Sequence, residues 1–454
     1  MSESLIISIS GVRGVVGKDL TPELVCQWAA AFGQLANEAE RPLVVLGRDS
    51  RTSGPMLLSA ARAGLQSVGC DVIECGLIPT PTAQLAVEHH EAGGGIVLTA
   101  SHNPIEWNAM KFVGPDGLFL DAETAGHLRS LAEAPDRIRR VGWDGIGERH
   151  GDPDAIRRHV EAVLALPMID VEKIRRRRFT VALDAVRGVG GIVMPLLLEA
   201  MGCSVRGIHL EADGRFPRPP EPSPERLGDL SALVRDSRAD IGFAMDPDGD
   251  RLALTDETGR AISEDYTLAF AVLSVLERTP GPVVVNLSTS LVVDDAAKSA
   301  GVSVERCKVG EANVAGVMRE RKAVIGGEGN GGVMLPDLHL GRDAPVAAAL
   351  VLDLLARTGK RVSELVSERP EYVIVKAKAP RGGDLNGTYE ALTQHFADGE
   401  TNRLDGLHLR WSDRWLHVRP SGTEPIVRMI AEGPNLAVAQ HLVDEARRIF
   451  EGTT

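Results

Sequence analysis

The sequence predicts an α/β protein: three similar α/β domains with mixed sheets, followed by a smaller C-terminal α+β domain. Three observations carry that prediction. A pattern of strand, polar loop, helix, glycine stop and strand occurs three times; its strands are unbroken Val/Leu runs; and the pattern changes after Arg369-Pro370. Unbroken apolar runs lack the alternation of a half-solvated strand. They fit strands buried on both faces beneath helices, in parallel or mixed sheets.

The first unit has a strand at 42–46, the loop Gly47-Arg48-Asp49-Ser50-Arg51, a helix running to Val68, a stop at Gly69 and a strand at 70–73. The second runs from a strand at 179–183 through a loop at 184–191 and an apolar helix to Gly202 and a strand at 203–205. The third has a strand at 282–285, a loop at 286–290, a helix, then Gly301 and a strand at 302–304. Each glycine is placed to end its helix in a left-handed C-cap. The units stand farther apart than the roughly 20–50-residue period of a solenoid, so they read as sister domains. Pro217, Pro219, Pro220, Pro222 and Pro224 exclude a helix interior or central strand and mark a stiff loop in the second domain. Beyond Pro370 the reading is a strand at 372–377, a helix at 389–396, strands at 415–418 and 426–431, and a closing helix at 437–450. Domain spans of 1–150, 151–255, 256–369 and 370–454 follow.

The 454 residues are 43% hydrophobic and 25% charged, ample for several cores. Fifty Lys and Arg against 63 Asp and Glu give a net charge of −13, which argues against nucleic acid as a partner. A local basic pocket for a small anion stays compatible with that number. The longest largely apolar stretch, around 346–355 and interrupted by Asp353, falls well short of the ~20 residues that span a bilayer. Met1-Ser2-Glu3-Ser4 opens without the basic and apolar regions of a secretory signal. Five cysteines without a C-x-x-C pair fit reduced thiols better than a disulfide framework or zinc ribbon. The expectation is a cytoplasmic enzyme, monomer or homodimer, with no membrane partner.

Four segments carry chemistry. A strand at 95–98 ends in Thr99-Ala100-Ser101-His102-Asn103-Pro104, and open α/β sheets place sites at the carboxyl ends of such strands. Pro104 restricts Asn103 and leaves Ser101 projecting. His102 is the immediate neighbour, but adjacent side chains diverge, and there is no G-x-S-x-G elbow, so a Ser-His hydrolase dyad is rejected. Asp246-Pro247-Asp248-Gly249-Asp250-Arg251 follows the strand at 240–245. Three carboxylates at alternate positions can converge on one hard cation and would otherwise repel one another. An EF-hand fails because Arg251 holds the position where the turn needs glycine, and a strand enters the loop. Mg²⁺ with open coordination positions is preferred over an all-protein Ca²⁺ cage.

Gly326-Gly327-Glu328-Gly329-Asn330-Gly331-Gly332, after a short strand at 323–325, reads as a loop where backbone approaches a ligand closely. Glu328 accepts, and Asn330 both donates and accepts, which suits sugar hydroxyls. The run is neither a dinucleotide fingerprint nor a Walker A. Arg419-Pro420-Ser421-Gly422-Thr423-Glu424-Pro425 combines guanidinium, hydroxyls and backbone N–H groups in an anion-binding nest, with Arg428 near enough to assist. Arg13 in Ser10-Gly11-Val12-Arg13-Gly14, and Lys111, are two further cations. Arg13, Lys111, Arg251, Arg419 and Arg428 are expected to gather at one cleft, a basic focus in an acidic envelope.

A serine loop, an aspartate triplet, a sugar-type loop and a phosphate nest, one per domain and in that order, resemble the α-D-phosphohexomutase superfamily. The N-terminal Ile9-Ser10-Gly11-Val12-Arg13-Gly14 and the Gly-Glu-Gly-Asn-Gly-Gly loop are most similar to its phosphoglucosamine mutase branch, with phosphoglucomutase/phosphomannomutase as the alternative. The resemblance implies a heart-shaped enzyme around a central cleft, interconverting hexose 6-phosphate and hexose 1-phosphate through a bound hexose 1,6-bisphosphate. It implies that Ser101 is the phosphorylated nucleophile and that Asp246, Asp248 and Asp250, with Ser101, hold Mg²⁺. Lys111 and Arg13 match the family's acid/base pair, and His102 joins them in the catalytic set. Arg251 lies beside the metal; Glu328 and Asn330 read the sugar; Arg419, Ser421, Gly422, Thr423 and Arg428 grip the phosphate that is not reacting. The family's Asn-Gly-x-Lys is here Asn108-Ala109-Met110-Lys111, which questions any φ > 0 requirement at 109.

Overall fold

The computed structural model describes residues 5–8, 11–382, 384–421 and 426–453. They form four sheets, three of which share a four-strand plan. In the first, Asp71–Leu77 and Gly94–Leu98 flank Leu43–Arg48 in parallel, and Trp107–Val113 returns antiparallel on Gly94–Leu98. In the second, Ser204–Ile208 and Ile241–Met245 flank Thr180–Asp184, and Leu252–Thr255 returns. In the third, Val304–Cys307 and Ile325–Glu328 flank Val283–Asn286, and Gly332–Leu335 returns. The serine, aspartate and sugar segments are therefore the same hairpin connection in three domains. The first sheet adds Ile6–Ser8, Gly11–Val15 and Arg149–Gly151, and the third adds His339–Arg342.

Each repeat opens with an Asx turn. The side chains of Asp49, Asp184 and Asn286 accept the backbone N–H two residues on, at Arg51, Val186 and Ser288. That turn releases the chain from the strand into the following helix. Gly69, Gly202 and Gly301 take positive φ at the far ends of those helices.

The second and third domains share one continuous apolar core, while the first and fourth have their own. The bridge is the helix Ala344–Thr358, which contains the longest largely apolar stretch of the sequence. Asp343 caps it by accepting from Val346 N–H, Pro345 sits in its first turn, and Gly359 ends it with φ 71°. It is buried from Ala344 to Ala356, its one buried charge there, Asp353, paired with Arg278 and Arg357.

The fourth sheet is wholly antiparallel: Val373–Pro380, Ile426–Gly433, Trp415–Pro420, Leu407–Arg410, Glu400–Asn402. Its last two strands go beyond the sequence reading, because Glu400–Asn402 is short, exposed and polar and carries no strand signature. The helix read at 389–396 begins earlier, as Leu385–His395, capped by Asp384. No helix among the described residues is long and apolar enough to cross a membrane.

Candidate active site

The aspartate hairpin of the second domain meets the serine hairpin of the first. Ser101 Oγ donates to Asp246 Oδ2 at 2.8 Å. Lys111, on the strand that returns from the serine loop, places Nζ 2.7 Å from Asp248 Oδ2 and 3.6 Å from Asp250 Oδ2. Thr80 Oγ1 donates to the same Asp248 oxygen at 2.7 Å. Ala109 lies in the strand Trp107–Val113, paired with Arg13 and without positive φ, so its Cβ is accommodated and does not disturb Lys111.

Asp246, Asp248 and Asp250 are fully buried, and each offers an oxygen within 4.8 Å of the others'. Asp248 Oδ1 and Asp250 Oδ1 have no hydrogen-bond partner. Orphaned, buried and convergent carboxylate oxygens are the donor set of a hard divalent cation, so the residues fit Mg²⁺. Burial, then the charges of Asp250 and Asp248, push the Asp246 carboxyl well up. For Asp248 burial acts upward too, but Lys111 and the hydrogen bonds around it outweigh burial and hold it far below the carboxylate range. Burial disfavours the Lys111 ammonium, yet Asp248 and Asp250 prevail and raise its pKa. Ion pairing thus keeps Lys111 charged in a dry site.

His102 does not diverge from Ser101 as adjacency suggested: its Nδ1 is 3.4 Å from Ser101 Oγ. The reason is backbone. Ser101 adopts a left-handed conformation, φ 48°, which folds neighbouring side chains together where an extended chain would splay them. Arg251, then burial and Arg13, hold the His102 imidazole well below its ordinary pKa, so it is neutral. Arg13 Nη1 donates to Asn103 Oδ1 at 2.5 Å. Arg251 lies 3.6 Å from Asp250 and 3.5 Å from Glu221.

The glycine-rich segment differs from its reading as a loop. Gly326, Gly327 and Glu328 belong to the strand Ile325–Glu328, and Gly332 opens the return strand, so only 329–331 turn. A Cβ at Gly326 would lie 2.4 Å from Val284 O, and Gly327 has φ 155°. Packing of strand on strand by itself requires these two glycines. Glu328 is buried; Oε1 accepts from Asn286 Nδ2 and Gly310 N–H, and Oε2 accepts from Arg342 Nη1 at 3.0 Å. Burial works against its charge, but Arg342 and those bonds prevail and keep Glu328 ionised. These three bonds use three of the about four lone-pair positions on a carboxylate. Asn330 is half-buried, its Oδ1 accepting Gly332 N–H.

Sequence reasoning missed Arg342. Its three nitrogens reach three carboxylates: Asp250 at 2.6 Å, Glu311 at 2.9 Å and Glu328 at 3.0 Å. Nothing near Arg342 in the sequence signals that role, since its partners come from three other elements. Asp49 was passed over as a polar turn residue, yet its Oδ2 accepts from Thr99 Oγ1 in the serine loop at 2.6 Å.

The fourth-domain set stands on its own sheet. Arg419 and Arg428 face each other across Trp415–Pro420 and Ile426–Gly433. Arg419 Nε lies 3.0 Å from Asp405 Oδ2. Ser421 is buried, its N–H bonded to Ile426 O; Gly422 and Thr423 lie outside the described residues. Arg13, Lys111, Arg251 and Arg342 surround the aspartates, and Arg419 and Arg428 lie on the last sheet. Domain three meets that sheet through Ser288 and His417, 2.8 Å apart, and through Val309 N–H to Asp405 Oδ2 at 3.1 Å.

Four successive family descriptions, domains I, II and III and the C-terminal domain of phosphoglucomutase/phosphomannomutase, match residues 5–138, 157–259, 263–372 and 367–449. A phosphoglucomutase/phosphomannomutase of Thermococcus kodakarensis is 40% identical, covering 97% of each chain. The chain belongs to the phosphoglucomutase/phosphomannomutase family. A probable phosphoglucosamine mutase of Methanopyrus kandleri is 36% identical over 96% of this chain and 95% of its own. Among solved structures, a phosphoglucomutase/phosphomannomutase family protein from Burkholderia thailandensis superimposes with a TM-score of 0.86 at 28% identity, covering 100% of this chain and 98% of that one. The chain is thus a phosphohexomutase, a mutase enzyme of the α-D-phosphohexomutase superfamily, with the four-domain architecture of that family.

Proposed function

We propose that this phosphohexomutase interconverts glucosamine 6-phosphate and glucosamine 1-phosphate through a phosphorylated Ser101 and a bound 1,6-bisphosphate. The observation that carries the reading is the convergence of Ser101 and Lys111 with three buried aspartates contributed by another domain. Asp246, Asp248 and Asp250 would hold Mg²⁺, which when bound supplies charge neutralisation at phosphoryl oxygens.

Phosphoryl transfer needs alignment and positive charge more than covalent help. Phosphorylated Ser101 presents its phosphorus to the free sugar hydroxyl; the bond to Ser101 Oγ breaks as the bond to the sugar oxygen forms. The hydroxyl proton passes to neutral His102 Nδ1, and Lys111 gives a proton to Ser101 Oγ, so no net charge is left behind. Arg13 and Arg251 contribute positive charge beside the loop. The bisphosphate then turns end for end and its other phosphoryl group returns to Ser101. Arg419, Ser421 and Arg428, with Gly422 and Thr423 of the same segment, would grip the phosphate that is not reacting, and that site must accept either end. Discrimination of the sugar falls to Glu328 and Asn330, where an ionised acceptor with one open position suits a 2-ammonium group.

Intact mass of freshly purified protein should show a fraction about 80 Da heavier, a phosphoryl group, absent in Ser101→Ala. Protein that stays unmodified after incubation with hexose 1,6-bisphosphate overturns the mechanism. The second reading, glucose or mannose phosphates, is favoured by the 40% identity to a phosphoglucomutase/phosphomannomutase. A coupled assay of kcat/KM on glucosamine, glucose and mannose 6-phosphates decides between them.

A further inference from the structure

Arg51 is wholly buried, and all five of its N–H donors are engaged. Nε meets Asp49 Oδ2 at 3.1 Å; Nη1 donates to Pro104 O at 2.6 Å and Trp107 O at 2.9 Å; Nη2 donates to Ser101 O at 2.6 Å and Asn103 O at 2.7 Å. Four contacts with main-chain carbonyls of one loop bind no ligand and pair no surface charge. They fix the path of residues 101–107, the segment that carries the nucleophile in a left-handed conformation that persists only where its surroundings impose it. We infer that Arg51 is the positioning residue that holds Ser101 in line for phosphoryl transfer. The inference rests on Ser101 being the phosphorylated group.

The clamp is closed from another domain. The Phe216 ring, in the proline-rich segment of the second domain, covers the Arg51 guanidinium at 5.1 Å. Gly214 passes so close that a Cβ there would lie 2.2 Å from Ser50 O. Two residues after Phe216, Arg218 donates to Met245 O, at the end of the strand that delivers the aspartates, and to Asp184 Oδ2. One stiff loop therefore touches the support of the serine hairpin and that of the aspartate hairpin. The prolines excluded regular structure from this segment; their physical effect is to keep the strap at fixed length between the two. Arg51 and Phe216 thereby set the register of Ser101 against Asp246.

Lysine cannot replace Arg51. Its ammonium has three donors for five acceptors and no plane for Phe216 to cover, so at least two of the five bonds are lost. A displacement of about 1 Å at the nucleophile costs on the order of 10²-fold in rate. The experiment loads wild type, Arg51→Lys, Phe216→Ala and Phe216→Tyr with hexose 1,6-bisphosphate. Phosphoserine content is measured by intact mass, single-turnover transfer to sugar phosphate by quench, and kcat and KM in steady state. Arg51→Lys is expected to transfer about 10²-fold more slowly with KM within about threefold of wild type. Phe216→Ala should transfer about 3–10-fold more slowly, with Phe216→Tyr restoring the rate. If Arg51→Lys does not fold, the Phe216 pair decides by the same criterion. Transfer rates within threefold of wild type in whichever of Arg51→Lys and Phe216→Ala fold, or a loss confined to KM, overturn the inference alone. A wild type that carries no phosphoserine overturns the mutase mechanism and this inference with it.

Discussion

Glu432 sits on the seam between the fourth sheet and the third domain. Its Oε2 accepts from Trp415 Nε1 at 2.7 Å and from Leu291 N–H, at the start of a third-domain helix, at 2.8 Å. The residue is fully buried, and burial raises its carboxyl from 4.5 to about 7. Between those values the folded seam holds a proton that the opened chain releases. Stability therefore falls as pH rises through this window, in full by the folded value. At about 1.4 kcal/mol per pH unit, the shift amounts to about 3 kcal/mol. Glu432→Gln keeps an acceptor oxygen and removes the charge, so it removes the slope. Hydrogen exchange of Trp415–Pro420 and Ile426–Gly433, corrected for intrinsic rates, reports opening of this sheet. From pH 4.5 to 7 the protection of wild type relative to Glu432→Gln should fall about 10²-fold. His417, which burial lowers to about 4, has the opposite sign: its contribution is lost as pH falls from 6.5. It is common to both proteins and cancels in the ratio. Parallel protection curves across that window would refute the buried, protonated Glu432.

Three shorter predictions follow from the same geometry. Lys111→Met, which removes the ammonium 2.7 Å from Asp248, should lower kcat about 10²–10⁴-fold in the coupled assay; a loss under tenfold removes Lys111 from proton transfer. Asp250→Asn should weaken Mn²⁺ binding by calorimetry by more than the 10–100-fold typical of a supporting residue, roughly, whereas unchanged affinity excludes it as a ligand. Asp343→Ala deprives His159 and His339 of the oxygen they share at 2.8 and 2.9 Å, and uncaps the Ala344–Thr358 helix. Urea unfolding should show on the order of 3–5 kcal/mol of destabilisation, and a change below 1 kcal/mol would assign this network no structural weight, roughly.

The sister domains were legible because Val/Leu runs, polar loops and glycine stops act locally: each is readable within a few residues of itself. The short fourth-domain strand at Glu400–Asn402 was not, since its pairing partner and not its own composition makes it a strand. The serine and aspartate segments announced themselves by residue type. Their meeting did not: Ser101 and Asp246 are 145 residues apart in sequence. Glycines 326 and 327 read as a loop yet are strand, because a requirement for close strand packing and one for an open loop leave the same residue behind.

By itself the sequence determined the repeated architecture, the chemical types in each functional segment and the acidic envelope of −13 charges. Only the tertiary structure decided that the three segments are one hairpin repeated, that Arg342 joins Asp250 to Glu328, and that Arg51 carries the serine loop. The physical reason is range. Propensity and turn chemistry act over a few residues, whereas a buried arginine is defined by the oxygens that distant strands bring to it. Charge obeys the same rule: Lys111 and Arg342 reach the aspartate cluster from separate elements, a grouping that no net count contains.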